Sequence, residues 1–269
     1  MKAVIVAAGF GTRFLPITKT IPKEMLPLGD RPILEHIVRE LTDAGIDKIC
    51  IVISRYKELV REYFSKNEVI EKFLVDNGKE NLLDKVTYQQ KLAQIDFVYQ
   101  ETVSGYQDAI NCAKDWVGDD DFILCTGDDL FVNPNGPSCV KQMIEENART
   151  GKHLLVTKYF ENEEDLKKYG VVKFSDETTG KIYEIVEKPQ SNFPSHVASI
   201  GRYLLPAKIF KHMANNTQKI GTELNFSVAL SMLAQNEGLY IFNVDARRFD
   251  TGNLKGYIET FDYFTKNNL

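Results

Sequence analysis

The chain has 269 residues, of which 43% are hydrophobic and 26% are charged, a composition typical of an ordinary globular protein. The formal net charge of −5 argues against a nucleic-acid-binding surface, so any phosphate site should be a local basic pocket. No apolar run approaches the length of a membrane span, and we therefore expect neither nucleic acid nor a membrane as a partner.

The cysteines indicate a reducing compartment. They stand at positions 50, 112, 125 and 139 and show no C-x-x-C pairing. Cys50 and Cys125 lie inside apolar strand-like runs and Cys112 inside a helical one, which favours buried free thiols over a zinc site or a catalytic cysteine. The chain starts directly with a strand pattern and shows no signal-peptide pattern. These features predict a cytoplasmic protein.

The first predicted element is a buried strand, because residues 3–7 form an apolar run. The strand leads into a loop that contains Gly9 and Gly11, followed by Arg13 and, ten residues later, Lys23. Glycines let a backbone approach a ligand, and a run of N–H groups makes a nest for anions. Arg13 adds a forked donor for phosphate oxygens and Lys23 a compact positive charge. The loop therefore predicts a nucleoside triphosphate held over the carboxyl edge of a sheet.

Strand and helix patterns alternate along the rest of the first half. Strands are predicted at 48–54, 95–100 and 122–126, and helices at 33–41, 57–64 and 105–116. Residues 67–91 read as helices with a charged outer face, which could form a flap over the site. The alternation predicts an α/β fold with a mostly parallel sheet and helices on both faces. Ligands then bind beyond the carboxyl ends of the strands.

The pattern changes after residue 153. A helix is predicted at 138–148, and extended segments at 171–174, 182–186 and 197–205 predict an antiparallel addition that packs against the first sheet. The remaining predictions are helices at 207–213, 223–235 and 253–265 and a strand at 239–244. No repeat, low-complexity tract or linker divides the chain, so we expect one domain over residues 1–269.

Acidic residues follow two of the predicted strands. The strand at 122–126 ends in Gly127-Asp128-Asp129, where an Asp-Asp pair is typical of a surface turn. An aspartate at the carboxyl end of a central strand nevertheless points at the ligand crevice, and its oxygens suit Mg²⁺. Asp250 also follows a strand and precedes a helix, where it could instead serve as an N-cap.

A longer motif surrounds the first loop. The string Gly-x-Gly-Thr-Arg-x-Leu-Pro, followed by Pro-Lys-Glu-Met-Leu-Pro, spans residues 9–27 and is far more specific than a lone Gly-x-Gly. It resembles the signature of sugar-1-phosphate nucleotidyltransferases, and its second part is similar to that of the bacterial UTP–glucose-1-phosphate uridylyltransferases. The resemblance runs from Lys2 to about Phe264. It implies a Rossmann-like nucleotidyltransferase fold, with a nucleotide-binding half at about 1–135 and a sugar-binding half at about 136–269.

The resemblance also implies a reaction, in which UTP and glucose 1-phosphate give UDP-glucose and pyrophosphate with Mg²⁺ as cofactor. Asp128 and Asp250, the latter in a Phe-Asp-Thr-Gly string, would hold the metal. Arg13 and Lys23 would neutralise the departing pyrophosphate, and Lys188 would hold the sugar phosphate. Such enzymes assemble as homo-oligomers, so a dimer or tetramer is expected.

Further residues carry implied roles in substrate binding. Glu187, in Glu-Lys-Pro, would accept hydrogen bonds from glucose, and Gly170 would approach the sugar ring. Gln100 could make a two-point amide contact with the pyrimidine edge. The full set implied for the nucleotide is Ala7, Ala8, Gly9, Gly11, Thr12, Gln100, Gly105 and Asp128. Arg202 is interpreted as structural rather than catalytic.

Two segments depart from the resembling enzymes. They carry Lys-Gly-Leu-Gly-His-Ala where this chain has residues 104–109, Ser-Gly-Tyr-Gln-Asp-Ala, and an aspartate where it has Val228. The departures leave the base, the sugar and the assembly open. The alternatives are a related nucleotidyltransferase that uses dTTP or another sugar phosphate, and a non-catalytic paralogue that binds the nucleotide or the sugar.

Overall fold

One mixed β-sheet connects the two halves of the chain in a computed structural model that describes residues 1–267. Residues 268 and 269, the end of the predicted domain, lie outside the described residues. In chain order the strands are β1 (Lys2–Val6), β2 (Pro27–Leu28), β3 (Arg31–Pro32), β4 (Lys48–Ser54), β5 (Gln94–Gln100), β6 (Phe122–Thr126), β7 (Asp129–Val132), β8 (Leu154–Tyr159), β9 (Gly170–Asp176), β10 (Lys181–Glu187), β11 (Val197–Leu205), β12 (Lys219–Ile220), β13 (Glu223–Leu224), β14 (Tyr240–Phe242) and β15 (Arg247–Asp250).

The helices cover both faces of this sheet. They are α1 (Ile33–Asp43), α2 (Glu58–Phe64), α3 (Glu68–Asp76), α4 (Leu83–Thr87), α5 (Tyr106–Cys112), α6 (Lys114–Val117), α7 (Cys139–Thr150), α8 (Glu163–Leu166), α9 (Ile209–Asn215), α10 (Phe226–Asn236) and α11 (Leu254–Asn267). Successive side chains of β1 pack into hydrophobic cores on opposite faces of the sheet. Ile5 packs in the core that contains Leu34 of α1, and Val4 packs in the core that contains Ile110 of α5.

The parallel first half is confirmed. Strands β5, β4, β1 and β6 are neighbours in that order, and each pair is parallel. The apolar runs of β1, β4 and β6 are buried on both faces, as expected for strands between two helical layers, whereas β5, at the edge of the sheet, is only partly buried. The carboxyl ends of β1, β4 and β6 therefore meet at one edge, where the first loop emerges.

The predicted antiparallel addition is wrong in one respect, because it continues the first sheet edge to edge instead of packing against it. Strand β11 pairs antiparallel with β6, and the order then runs β11, β8, β14, β10, β9. Strand β8, which pairs with both β11 and β14, is not predicted from the sequence. Extending the sheet covers the open edge of β6 with backbone hydrogen bonds, which a separate layer would leave unpaired.

Several predicted boundaries also need correction. The helix expected at 105–116 breaks at Ala113 into α5 and α6. The helix expected at 223–235 begins only at Phe226, because Asn225 caps it and residues 219–224 form a small hairpin of β12 and β13. The segment 67–91 is helical, but its Tyr88 hydroxyl donates to Glu35 of α1, which places it beside α1 rather than over the first loop.

Other interpretations are confirmed. Cys50, Cys125 and Cys139 are buried, Cys112 is half-buried, and all four are free thiols. Arg202 is fully buried and donates from Nη2 to the Glu40 carboxylate at 2.7 Å and to the Asp129 carbonyl at 2.8 Å, so it has a structural role. Within residues 1–267, no helix has the length and apolar character needed to cross a membrane.

Candidate active site

The first loop leaves the sheet between two strands. The N–H of Ala7 still donates to the Val52 carbonyl at 2.8 Å, so the free backbone begins at Ala8 and Gly9. Gly11 has φ +65°, a conformation that favours glycine, and Thr18 donates from Oγ1 to its carbonyl at 2.9 Å. These contacts fold the loop around the aliphatic part of Lys23.

Lys23 is directed at the acidic end of β6. Its Nζ donates to Oδ2 of Asp128, and the Glu24 carboxylate lies 4.0 Å away. Burial alone would lower the pKa of Lys23, but the charges of Asp128 and Glu24 outweigh it and raise the pKa. Burial would raise the pKa of Asp128, but the charge and hydrogen bond of Lys23 outweigh it and lower the pKa. Both groups are therefore charged near neutral pH.

Lys57 is a further buried cation that the sequence analysis did not identify. Its Nζ donates to the Ala7 carbonyl at 2.7 Å and to the two carboxylate oxygens of Glu24 at 2.8 and 2.7 Å. Burial lowers the pKa of Lys57. A signal existed, because Lys57 follows β4 at the same sheet edge as the first loop. Its contacts fix the backbone at Ala7 and the carboxylate beside Lys23.

The structure brings Asp128 and Asp250 together. Strand β15 pairs antiparallel with β7, and Thr251 donates from its N–H and its Oγ1 to the Asp128 carbonyl at 2.9 and 2.7 Å. A Cβ added to Gly252 would lie 2.6 Å from Asp128 Oδ2 and 3.0 Å from Asp250 Oδ1, so both carboxylates face one small space.

Asp129 is held as part of the scaffold. Arg248 donates from Nε and Nη2 to its Oδ1 at 2.7 and 2.6 Å, and Thr126 donates to its Oδ2 at 2.8 Å. Arg248 also donates from Nη1 to the Tyr169 hydroxyl at 3.0 Å. Asp129 is thus engaged on both oxygens, whereas Asp128 is engaged on Oδ2 by Lys23 and Asp250 on Oδ1 by the Gly252 N–H at 2.9 Å, so among the described residues each keeps its second oxygen for a cation. No group of three or more acidic, histidine or cysteine side chains within residues 1–267 is arranged to hold a metal by itself.

A cavity of about 290 Å³, here called the Glu187 cavity, lies beside this centre. Its walls include Tyr106, Gly170, Glu187, Lys188, Ser199, Tyr203, Phe226 and Ser227. Ser227 donates to Glu187 Oε2 at 2.6 Å, and a Cβ on Gly170 would come within 3.1 Å of the same oxygen. Lys188 is half-exposed, has φ +47°, and places its Nζ 3.4 Å from Glu187 Oε1.

A second cavity of about 620 Å³, here called the Asp250 cavity, contains Arg13, Asp128 and Asp250 among its lining residues. Asp129, Tyr169 and Arg248 line both cavities, so their hydrogen-bonded cluster forms a common wall. A ligand in the Asp250 cavity and a ligand in the Glu187 cavity would therefore lie next to each other along this wall. The arrangement suits a group transfer between an anion near Arg13 and a polar acceptor near Glu187 and Lys188.

Gln100 and the loop after it form a separate cluster. Gln100 donates from Nε2 to the Gly105 carbonyl at 3.1 Å and to Asp108 Oδ2 at 3.3 Å, and Ser104 also donates to that carboxylate. Both partners of Nε2 are acceptors, so the amide nitrogen must face them and Oε1 must face away. Gly105 has φ +116° and lies against the Glu223 side chain of β13.

Comparison with known proteins identifies the family. The profile of the family described as Nucleotidyl transferase matches residues 2–267. The chain belongs to the nucleotidyl transferase family. This nucleotidyl transferase is 37% identical over 267 residues to the UTP–glucose-1-phosphate uridylyltransferase 2 of Staphylococcus saprophyticus, which corresponds to 96% of the chain and 90% of that relative.

Solved structures give the same result. A UDP-glucose pyrophosphorylase complexed with UDP-glucose has a TM-score of 0.88 and 32% identity, covering 99% of this chain and 98% of that chain. A UTP-bound UGPase from Acinetobacter baumannii has a TM-score of 0.89 and 31% identity, covering 98% of this nucleotidyl transferase and 92% of that chain. The resemblance and the fold inferred from the sequence are confirmed.

Proposed function

We propose that this nucleotidyl transferase transfers UMP from UTP to glucose 1-phosphate and releases pyrophosphate, giving UDP-glucose. The observation that carries the proposal is the pair of cavities with one common wall. The Asp250 cavity offers Arg13 to a triphosphate and the paired carboxylates to the Mg²⁺ that would accompany it, and the Glu187 cavity offers Glu187 and Lys188 to a sugar phosphate. The UTP-bound and UDP-glucose-bound relatives support the same pair of substrates.

The reaction needs positioning and charge stabilisation rather than a covalent enzyme intermediate. An oxygen of the sugar phosphate attacks the α-phosphorus of UTP, the bond from that phosphorus to the bridging oxygen breaks, and pyrophosphate leaves with the electron pair. Lys188 aims the attacking phosphate, while Arg13 and Lys23 stabilise the charge that moves onto the leaving group. Lys23 exchanges its contact with Asp128 for the phosphates when the nucleotide binds.

Asp128 and Asp250 fit Mg²⁺, because Mg²⁺ binds proteins through one or two carboxylates and completes its octahedron with water and substrate phosphate. Their convergence beside Gly252 supplies those two carboxylates without a third protein ligand. When bound, Mg²⁺ would neutralise charge on the phosphates. The chain's own part is to hold the two carboxylates facing one space.

The base is read by the first loop and by Gln100. Ala8 and Gly9 lie at the point where the backbone leaves strand pairing, so their polar groups can meet a uracil edge. The two donors of Gln100 are engaged by Gly105 and Asp108, which leaves Oε1 as an acceptor. An acceptor suits the N3–H of uracil or thymine and opposes cytosine, whose N3 carries no hydrogen. This orientation replaces the two-point contact that the sequence suggested.

Pyrophosphate release tests the proposal, with Mg²⁺, glucose 1-phosphate and either UTP or dTTP in parallel. Clear preference for UTP is the expected result. Turnover with dTTP alone would show that the protein catalyses the related thymidylyl transfer, because Gln100 can accept a hydrogen bond from either uracil or thymine. Binding of UTP without pyrophosphate release from any of a panel of sugar phosphates would contradict the proposal and support a non-catalytic role.

A further inference from the structure

A buried hydroxyl without a partner lies at the Glu187 cavity. Tyr106, the first residue of α5, lines this cavity, and its hydroxyl oxygen is buried with no hydrogen-bond partner among residues 1–267. Native structures leave few buried polar groups unsatisfied, because each such group loses its contacts with water and gains nothing in exchange. The hydroxyl of Tyr106 therefore requires a physical reason.

Tyr203 provides a comparison within the same cavity. Both tyrosine rings stand edge-on to Phe226, with centroid distances of 5.7 Å for Tyr106 and 6.0 Å for Tyr203. The hydroxyl of Tyr203 accepts a hydrogen bond from Ser199 Oγ at 3.2 Å. The packing of the two rings is thus similar, and only the Tyr106 hydroxyl lacks a partner. Apolar packing alone would be served equally well by phenylalanine at position 106.

The Tyr106 hydroxyl is a neutral group that can donate. Burial raises its pKa well above the ordinary value, and the nearby charges of Asp128 and Asp129 act in the same direction. The proton therefore stays on the oxygen at any working pH. Among the other groups of the cavity, Glu187 can only accept hydrogen bonds and Lys188 can only donate them. A phenol, which does both, suits a ligand hydroxyl.

We propose that Tyr106 is a specificity-determining residue, whose hydroxyl hydrogen-bonds one hydroxyl of the sugar when the sugar phosphate occupies the Glu187 cavity. The inference rests on the proposed function, since it takes the ligand of this cavity to be a sugar. It concerns a residue that this chain does not share with the resembling string, which has leucine at this position. A site built around a polar partner rejects analogues that lack the matching hydroxyl.

Tyr106→Phe tests the inference through two readouts that should move in opposite directions. Removing an unsatisfied hydroxyl should raise Tm, while the KM for glucose 1-phosphate should rise by about three- to tenfold and the KM for UTP should stay unchanged. Tyr203→Phe is the matched stability control, because it removes a hydroxyl that has a partner and should lower Tm. An unchanged KM for glucose 1-phosphate in Tyr106→Phe would overturn the inference.

A series of 2-, 3-, 4- and 6-deoxyglucose 1-phosphates identifies the partner. Wild type should discriminate against the analogue that lacks the partner of Tyr106, and Tyr106→Phe should lose that discrimination while keeping any that Glu187 supplies. If Tyr106→Phe does not fold, the wild-type series decides alone, because equal kcat/KM for all four analogues and glucose 1-phosphate would refute a sugar contact.

Failure of the proposed function would look different. In that case wild type would release no pyrophosphate from UTP and glucose 1-phosphate. Binding of glucose 1-phosphate to wild type and to Tyr106→Phe could still be compared through the rise in Tm that the ligand causes in each protein. Equal rises in wild type and Tyr106→Phe would then count against the Tyr106 contact itself.

Discussion

Asp129 and Asp250 face each other across the two-stranded sheet that β7 and β15 form. This register places Asp128 and Asp250 on either side of Gly252, although they come from opposite halves of the chain. The ladder is short, but Thr251 reinforces it with two hydrogen bonds to the Asp128 carbonyl, and Arg248 reinforces it through Asp129. The two-carboxylate centre is therefore a product of strand pairing.

Gly252→Ala should damage this centre without damaging the fold. The new Cβ would lie 2.6 Å from Asp128 Oδ2 and 3.0 Å from Asp250 Oδ1, so both side chains must move. A shift of about 1 Å in a catalytic group can cost about 10²-fold in rate, and we expect a loss of this order in kcat. Steady-state kinetics over a range of Mg²⁺ concentrations measure it.

Circular dichroism and Tm provide the control, and they should match wild type closely, because the contacts are with side-chain oxygens rather than with backbone. A kcat within twofold of wild type would show that the space beside Gly252 takes no part in the reaction.

Asp108 should control the choice of base through Gln100. In Asp108→Ala, the Gln100 amide loses one of the two acceptors that hold its nitrogen, so it can rotate and offer a donor. We expect the ratio of kcat/KM for UTP over CTP to fall about tenfold, the equivalent of one hydrogen bond of about 1.4 kcal/mol. Nucleotide competition with glucose 1-phosphate measures the ratio.

Ser104→Ala is the matched control for Asp108. It removes the other hydrogen-bond donor to the Asp108 carboxylate but leaves both acceptors of Gln100 in place. Its selectivity should stay close to that of wild type. Equal selectivity in Asp108→Ala and wild type would mean that the first loop alone reads the base.

Lys57 should be essential to stability because Glu24 depends on it. Lys57→Met leaves the Glu24 carboxylate buried without its strongest partner, and breaking a buried ion pair in this way typically costs about 3–5 kcal/mol. Urea unfolding measures the loss. The double variant Lys57→Met with Glu24→Gln, which also removes the buried charge, should regain part of it. No recovery in the double variant would show that the contact of Lys57 with the Ala7 carbonyl is the stabilising one.

The sequence predicts the parallel half well and the active site only in part. Apolar runs identify β1, β4 and β6, because strands buried on both faces carry a strong signal, and the weaker run of the half-buried edge strand β5 is still recognisable. Strand β15 has no such signal, since two of its four residues are arginines and its pairing with β7 is non-local. Convergence of Asp128 and Asp250 therefore followed from the resemblance and not from any pattern.

Buried charged residues are the second feature of the site that the sequence does not predict. Lys57 and Arg248 look like surface residues in the sequence. The place of Lys57 after β4 indicates the right edge of the sheet, but only the tertiary structure shows that both side chains are buried with carboxylate partners. The positioned amide of Gln100 likewise depends on a loop conformation that spacing does not reveal. The homo-oligomer and the single-domain organisation stay predictions.

His36 should make the protein less stable in mild acid. Burial lowers the pKa of His36 from its ordinary value of 6.5, against the effect of its hydrogen bond with the Leu28 carbonyl. The unfolded chain therefore binds a proton below about pH 6.5 that the folded protein does not take up. Its contribution to stability is complete above that pH and is lost as the pH falls toward the lowered folded pKa.

Urea unfolding between pH 7.5 and 5.5 measures this effect. Burial lowers the pKa of His212 as well, so we expect the wild-type free energy of unfolding to decline across the window through both groups. His36→Met should be less stable at pH 7.5, because the bond to Leu28 is lost, but its decline toward pH 5.5 should be shallower. Parallel declines in wild type and His36→Met would show that His36 takes up its proton in the folded protein as readily as in the unfolded chain.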